Sequence, residues 1–147
     1  MKPIPDIEHF KLRLKNKGLK ATSQRLSVHE AMMNLGHASA DQVFEWLRGH
    51  GHEDVTVASV YNILSQFSDC KLYCRRLSMN NKMYFDVNAG QHLHIYDSVN
   101  GEYKDVQDEE LQMILADICK RKRFRGYKTD FIDIQFVCHP SKKQTKQ

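Results

Sequence analysis

Within the first seventy residues, apolar side chains recur at helical spacing in four stretches, three of them with a cap, and the period then changes to that of strands. This switch confines the first half of the chain to one kind of architecture. Residues 6–16 read as a first helix, closed by Lys17 and Gly18. Thr22 or Ser23 caps a second that runs to about Leu35, with Leu26, His29 and Met33 on one face; Gly36 stops it. Ser39, with Gln42 three residues on, makes a capping-box arrangement. It opens a third helix that carries Val43, Phe44 and Leu47 and ends at residues 49–51. Thr56 or Ser59 begins a fourth, where Val60, Ile63, Leu64 and Phe67 follow the i, i+3, i+4, i+7 rule. Two short strands, 73–77 and 82–86, follow across a turn at Met79, Asn80 and Asn81. Short connections and a closing two-stranded ribbon predict a winged helix-turn-helix.

The second half has a different pattern. Residues 92–97 and 102–106 read as a hairpin about the turn Ser98-Val99-Asn100-Gly101. A helix near 108–120 carries Leu111, Ile114, Leu115 and Ile118 in phase, and Ile132, Ile134, Phe136 and Cys138 alternate in a last strand. A three-stranded sheet with one helix cannot cover both its faces, so a symmetric homodimer is expected. The fold class is α+β: an N-terminal winged helix-turn-helix followed by a small α/β dimerisation domain. The expected boundaries are 1–86 for the first domain, 87–91 for a hinge, 92–139 for the second domain and 140–147 for a disordered tail.

Charge divides the same way. Residues 1–85 carry 12 Lys and Arg against 8 Asp and Glu, whereas residues 86–147 carry 10 of each. Between His9 and His29 lie Lys11, Arg13, Lys15, Lys17, Lys20 and Arg25, with no acidic residue among them. A polyanion partner for the first half follows, and double-stranded DNA is the one a helix-turn-helix reads. The fourth helix would enter the major groove by its N-terminal turn. With Val60, Ile63, Leu64 and Phe67 facing the core, Ser59, Tyr61, Asn62 and Ser65 face outward. Tyr61 suits a thymine methyl or a phosphate, and Asn62 an adenine edge. Lys20 and Arg25 would reach phosphates or the minor groove.

Mean hydropathy is −0.60, and no apolar run approaches the ~20 residues of a membrane span. The N-terminus lacks the apolar stretch of a signal peptide. A cytoplasmic protein without membrane association is expected. Cys70, Cys74, Cys119 and Cys138 form no Cys-x-x-Cys pair, so no structural zinc site is predicted.

Candidate metal ligands cluster at Asp86, His92, His94 and Asp105. Residues i and i+2 of a strand share a face, so His92 and His94 project together. If Asp97 pairs with Glu102 across the turn, the register places Asp105 opposite His94, with Cβ atoms roughly 4.5–5.5 Å apart. Asp86 precedes the hairpin by a short linker, and His37 comes from an earlier element. These five residues can converge on one ion.

Gly18-Leu19-Lys20-x-Thr22-x-Gln24-Arg25-Leu26, Gly36-His37-x-Ser39-Ala40-Asp41-Gln42-Val43-Phe44 and Ala58-Ser59-Val60-Tyr61-Asn62-x-Leu64 resemble the ferric uptake regulator (Fur) family. Gln66-Phe67-Ser68-Asp69, Tyr84-Phe85-Asp86 and His92-x-His94 extend the resemblance over roughly residues 6–138. It implies a dimeric, metal-activated bacterial repressor, not an enzyme. It also implies that the regulatory site between the domains falls on His37, Asp86, His92, His94 and Asp105. Two departures stand out. Asp97-Ser98-Val99-Asn100 replaces the family's zinc-binding Cys-x-x-Cys, and Gln91 and Leu93 stand where ligands of a second site are expected. Within the family the chain is most similar to the peroxide-responsive repressors (PerR) and to the iron-responsive regulator (Irr) group.

Three imidazoles and two carboxylates without thiolate make a borderline-to-hard site that suits Fe(II) or Mn(II), with zinc competing for it as purified. The likeness to PerR nominates His37 or His92 as the ligand oxidised by hydrogen peroxide when Fe(II) is bound, and implies that the manganese form is insensitive. The likeness to Irr leaves an iron- or haem-responsive regulator as the alternative, with His92 or His94 as axial ligand. A non-haem iron enzyme is the remote alternative. It shares the two-histidine, one-carboxylate chemistry, but the chain has no pattern for an eight-stranded jelly roll.

Overall fold

The computed structural model describes residues 4–78, 81–87, 92–130 and 132–141. The wing-turn residues Met79 and Asn80, residues 88–91 of the expected hinge and residues 142–147 of the expected tail lie outside the described residues, as does the side chain of His92. The chain divides into two compact units between residues 89 and 90.

In the first unit, each helix begins where a short polar side chain can accept from the first free backbone amides. Asp6 accepts from the His9 amide and opens α1 (Ile7–Asn16); Thr22 accepts from Arg25 and opens α2 (Ser23–Leu35). Ser39 and Gln42 form a full capping box at α3 (Ala40–Gly49), and Thr56 and Ser59 form another at α4 (Val57–Asp69). Gly36, at φ 78°, ends α2, a backbone region that costs glycine nothing. The chain then makes a two-residue strand, β1 (His37–Ala38). With β2 (Cys74–Leu77) and β3 (Met83–Asp86) it forms a sheet of order β1-β3-β2, antiparallel throughout. This is the wing. Ser78 and Lys82 close its turn: the Ser78 amide donates to the Lys82 carbonyl at 2.8 Å, and the Lys82 amide to Ser78 Oγ at 3.1 Å.

Phe10, Leu14, Val28, Met32, Val43, Leu47, Val60, Leu64, Phe67 and Phe85 fill the core of this unit. Polar residues are buried with them, His29 most completely. His29 is fully buried and stacks on Phe10 with ring centroids 3.7 Å apart. Its Nδ1 lies 2.7 Å from Tyr73 Oη, and its Nε2 lies 2.7 Å from the Pro5 carbonyl. A neutral imidazole satisfies both: the Tyr73 hydroxyl donates to Nδ1, and Nε2–H donates to Pro5. Burial holds the His29 imidazole below its ordinary range and pushes the Tyr73 phenol well up. The sequence pattern places Leu26, His29 and Met33 on the inner face of α2. The structure instead buries Val28, His29, Ala31 and Met32, because α2 packs against α1, α3 and α4 and so has no single apolar stripe.

In the second unit, β4 (His92–Asp97) is the central strand, antiparallel to β5 (Glu102–Val106) and parallel to β6 (Asp133–Cys138). Asp97 opposes Glu102 and His94 opposes Asp105, the register read from the turn. Asp108 caps α5 (Glu109–Arg121), of which only Leu115 is fully buried. Ile114, expected inside, is about half exposed. One helix and three strands supply too few apolar faces to enclose one another.

Candidate functional site

Each unit contributes an imidazole–carboxylate pair set by strand register. In the first unit, Gly36 turns the chain into β1, and the Val87 amide closes on the Gly36 carbonyl at 3.3 Å. His37 then stands opposite Asp86 of β3, its Nδ1 3.6 Å from Asp86 Oδ2. Cys74 flanks Asp86 on the other side, across β2. In the second unit, His94 Nε2 lies 3.3 Å from Asp105 Oδ1. His94 is fully buried, and the Tyr103 ring stands edge-on to it at 6.1 Å. His92 opens β4 opposite Asp133.

The His37–Asp86 separation exceeds a hydrogen bond, that of His94–Asp105 lies at its long end, and both are close to what a shared ion requires. Two donors each about 2.1 Å from a first-row ion stand about 3.0 Å apart in octahedral geometry and about 3.4 Å apart in tetrahedral geometry. Each pair therefore fits one edge of a coordination shell. The donors are imidazole nitrogen and carboxylate oxygen, the set that borderline and hard divalent ions select.

Where the family resemblance places a cysteine knuckle, the structure has a turn built on a carboxylate. Asp97 Oδ1 accepts from the amides of Val99 and Asn100 at 2.9 and 3.0 Å, and Oδ2 accepts from Asn100 Nδ2 at 2.7 Å. These hydrogen bonds, led by the Asn100 amide, hold the Asp97 carboxyl below its usual range. Ser98 ties the turn to β6, donating its amide and its hydroxyl to the Cys138 carbonyl.

The proposed nucleic-acid surface lies along α4 and the approach to α2. Tyr61 and Asn62 are exposed, and Tyr61 sets its ring edge-to-face with Phe85 of β3 at 5.9 Å. Ser59 is half-buried, and its hydroxyl is engaged in the cap, accepting from the Thr56 amide and donating to the Thr56 carbonyl. Lys20 is exposed. Arg25 is a brace: Nη1 donates to the Lys20 carbonyl at 2.8 Å and Nη2 to Gln66 Oε1 at 2.9 Å. It thereby ties the Lys20 loop to α4. Gln66 and Phe85, the supports of Arg25 and Tyr61, carry no local sequence signal for these roles, because the contacts join residues 41 and 24 positions apart.

Known proteins share this chain's pattern and shape. The model of the "Ferric uptake regulator family" matches residues 16–134. The ferric uptake regulation protein of Cupriavidus metallidurans is 32% identical over 114 residues, covering 76% of this chain and 79% of that protein. Its counterpart in Pseudomonas aeruginosa is 28% identical over 134 residues, covering 89% and 96%. The solved structure of the Pseudomonas aeruginosa ferric uptake regulator with manganese superposes with a TM-score of 0.72 at 26% identity, covering 90% of this chain and 98% of that one. The Vibrio cholerae ferric uptake regulator shares the fold, with a TM-score of 0.70 at 23% identity over 89% of this chain and 99% of that one.

Proposed function

Because the chain belongs to the ferric uptake regulator family, a family of metal-responsive DNA-binding regulators rather than enzymes, we propose that it is a metal-dependent repressor. It works as a cytoplasmic homodimer on a double-stranded operator. The reading rests chiefly on the two register-fixed imidazole–carboxylate pairs, His37–Asp86 and His94–Asp105. In this reading both pairs and His92 serve one regulatory ion, Fe(II) or Mn(II), with zinc as a competitor. The ion couples the two units, and its loss uncouples them. Asp86 and Asp105 orient their histidines before the ion arrives, which lowers the ordering cost of binding.

The dimer in this proposal uses the apolar surface that one copy leaves uncovered. Met113 and Ile114 on α5 and Phe136 and Val137 on β6 are exposed, and a second copy related by symmetry would bury them. Structural zinc has no part in the reading, since Asp97 closes the turn where a knuckle would stand. Among the described residues no helix is long and apolar enough to cross a membrane.

On DNA, α4 enters the major groove with Tyr61 and Asn62 toward the bases. Lys20 contacts phosphate, Arg25 holds that loop in place, and Ser59 acts through the helix cap. Two substitutions separate these roles. Tyr61→Ala should relax discrimination by about 1–3 kcal/mol at one base pair, whereas Lys20→Ala should weaken all sequences alike and reduce the salt slope by about one. A binding assay on an operator and its point variants reads both; unchanged binding in both proteins removes the surface.

With Fe(II) bound the site would supply redox chemistry toward hydrogen peroxide that Mn(II) does not, and the proposed signal is peroxide. The test is operator binding by chelated, Mn(II)-loaded and Fe(II)-loaded protein, before and after peroxide. Metal should be required, and binding should fall steeply with salt. Peroxide should release only the iron form, with one oxygen atom gained on the His37 or His92 peptide. Equal binding with and without metal defeats the coupling. Intact binding after peroxide defeats the peroxide signal; a sharp Soret band at one equivalent of haem would then replace it with haem sensing.

A further inference from the structure

The end of α5 and the segment after it have no role in that reading, yet they concentrate charge and exposed rings more than any other part of the second unit. Lys120, Arg121, Lys122, Arg123, Arg125 and Lys128 place six cations in nine residues, and all nine residues are exposed. Arg121 is engaged, donating to Asp117 at 2.7 Å. The other five form no ion pair among the described residues.

Between the cations the chain makes a tight turn. The Tyr127 amide donates to the Phe124 carbonyl at 2.9 Å, and the two residues pair as an antiparallel bridge. Gly126, at φ 85°, occupies the turn position that needs a left-handed backbone. Directly opposed residues project to one face, with Cβ atoms about 4.5–5.5 Å apart. Phe124 and Tyr127 are therefore presented together, at 59% and 83% exposure. Two rings side by side on one turn, framed by cations, form a surface shaped for a partner rather than scattered apolar residues.

The chemistry selects among polyanions. The cations suit phosphate, and the rings suit flat π-surfaces. In a duplex the bases are already stacked on one another and offer only their edges, so the rings would have nothing to cover. An unpaired strand offers phosphates and base faces at once. An anionic bilayer would use the cations but takes up aliphatic bulk as well, and residues 120–128 contain no aliphatic side chain. We propose that the turn at residues 122–128 is a second nucleic-acid site, which takes an unpaired strand with its phosphates on Lys122, Arg123, Arg125 and Lys128 and its bases on Phe124 and Tyr127. It needs no regulatory ion.

The experiment uses the full chain with chelator present, and fluorescence anisotropy of a labelled thymine oligonucleotide of about 15 nucleotides. A non-operator duplex of the same length is the comparison. The single strand should bind at least about tenfold more tightly, and log affinity should fall with log salt at a slope of about −3, as four contacts to a single strand imply. Phe124→Ala with Tyr127→Ala should weaken it about tenfold or more, whereas Tyr127→Phe should bind as wild type, because the ring acts and the hydroxyl does not. The circular dichroism spectrum and the operator binding of the Mn(II)-loaded protein should be unchanged in the double variant. Should that variant misfold, Arg123→Gln with Arg125→Gln decides, since it must flatten the salt slope by about 1.4. Equal affinity for the duplex, full binding without the rings, or capture by phosphatidylserine vesicles in place of the oligonucleotide overturns the proposal. Operator binding by the Mn(II)-loaded wild type reports separately on the repressor reading.

Discussion

Asp105→Ala should lower the affinity for the regulatory ion about tenfold or more and abolish metal-dependent operator binding, with the dimer intact. Asp105 stands opposite His94 in the β4–β5 register, 3.3 Å from its Nε2. The substitution therefore removes one proposed ligand and the group that orients another. Outer partners of a ligating histidine alone are commonly worth 10–100-fold in metal affinity, so a ligand should cost no less. Asp105 lies on a hairpin strand and takes no part in the apolar surface of Met113, Ile114, Phe136 and Val137. Metal titration by calorimetry, sedimentation and an operator-binding assay on one preparation check the three parts. Wild-type metal affinity in this variant removes the β4–β5 pair from the site. Loss of the dimer instead shows that the strand pairing is structural.

Phe67→Ala should destabilise the first unit by about 3–5 kcal/mol, the range for deleting a buried ring. Phe67 is fully buried and meets Phe10 and Tyr73 edge-on, at 5.1 and 5.0 Å. A domain has only about 5–15 kcal/mol in total, so the change removes a large share. Urea unfolding followed by circular dichroism measures it; a loss under about 1 kcal/mol would mean that this aromatic cluster is not the core. The same unfolding run at lower pH reads His29, which stacks on the other side of the cluster. Its folded-state pKa is depressed, chiefly by burial and further by Arg13, while Pro5 and Asp6 pull it back up. The unfolded chain therefore takes up the proton first. Stability attributable to neutral His29 is full above about pH 6.5 and is lost as pH falls below that, through the folded pKa. The loss should shrink in His29→Gln.

The parts of the fold legible in the sequence are those whose causes are local. Ser39 caps its helix as expected, and Thr22 and Thr56 are each one of the two caps read for theirs, because a cap needs only the next three residues. The hairpin register followed from the length of the turn, and the His94–Asp105 pair came with it. Features set at long range were not visible. His37–Ala38 is too short to show a strand period; it is a strand because β3 pairs with it. The inner face of α2 could not be read from a helix packed against three others. Nothing in the vicinity of Arg25 announces Gln66 as its acceptor. The parallel docking of β6 on β4 likewise depends on residues about forty positions apart.

The Asp97 turn has a consequence for durability. A knuckle of thiolates around zinc comes apart when its sulfurs are oxidised or when the cell runs short of the metal. A carboxylate gripping two backbone amides and the Asn100 side chain responds to neither. Its grip answers only to acid: it is complete above the ordinary carboxylate range and fades as pH falls through the depressed pKa of Asp97. Under the proposed reading, an oxidant that reached a ligand histidine at neutral pH would leave this corner of the second unit standing. The proposed sensor would then be read out chemically at one place without being dismantled at another.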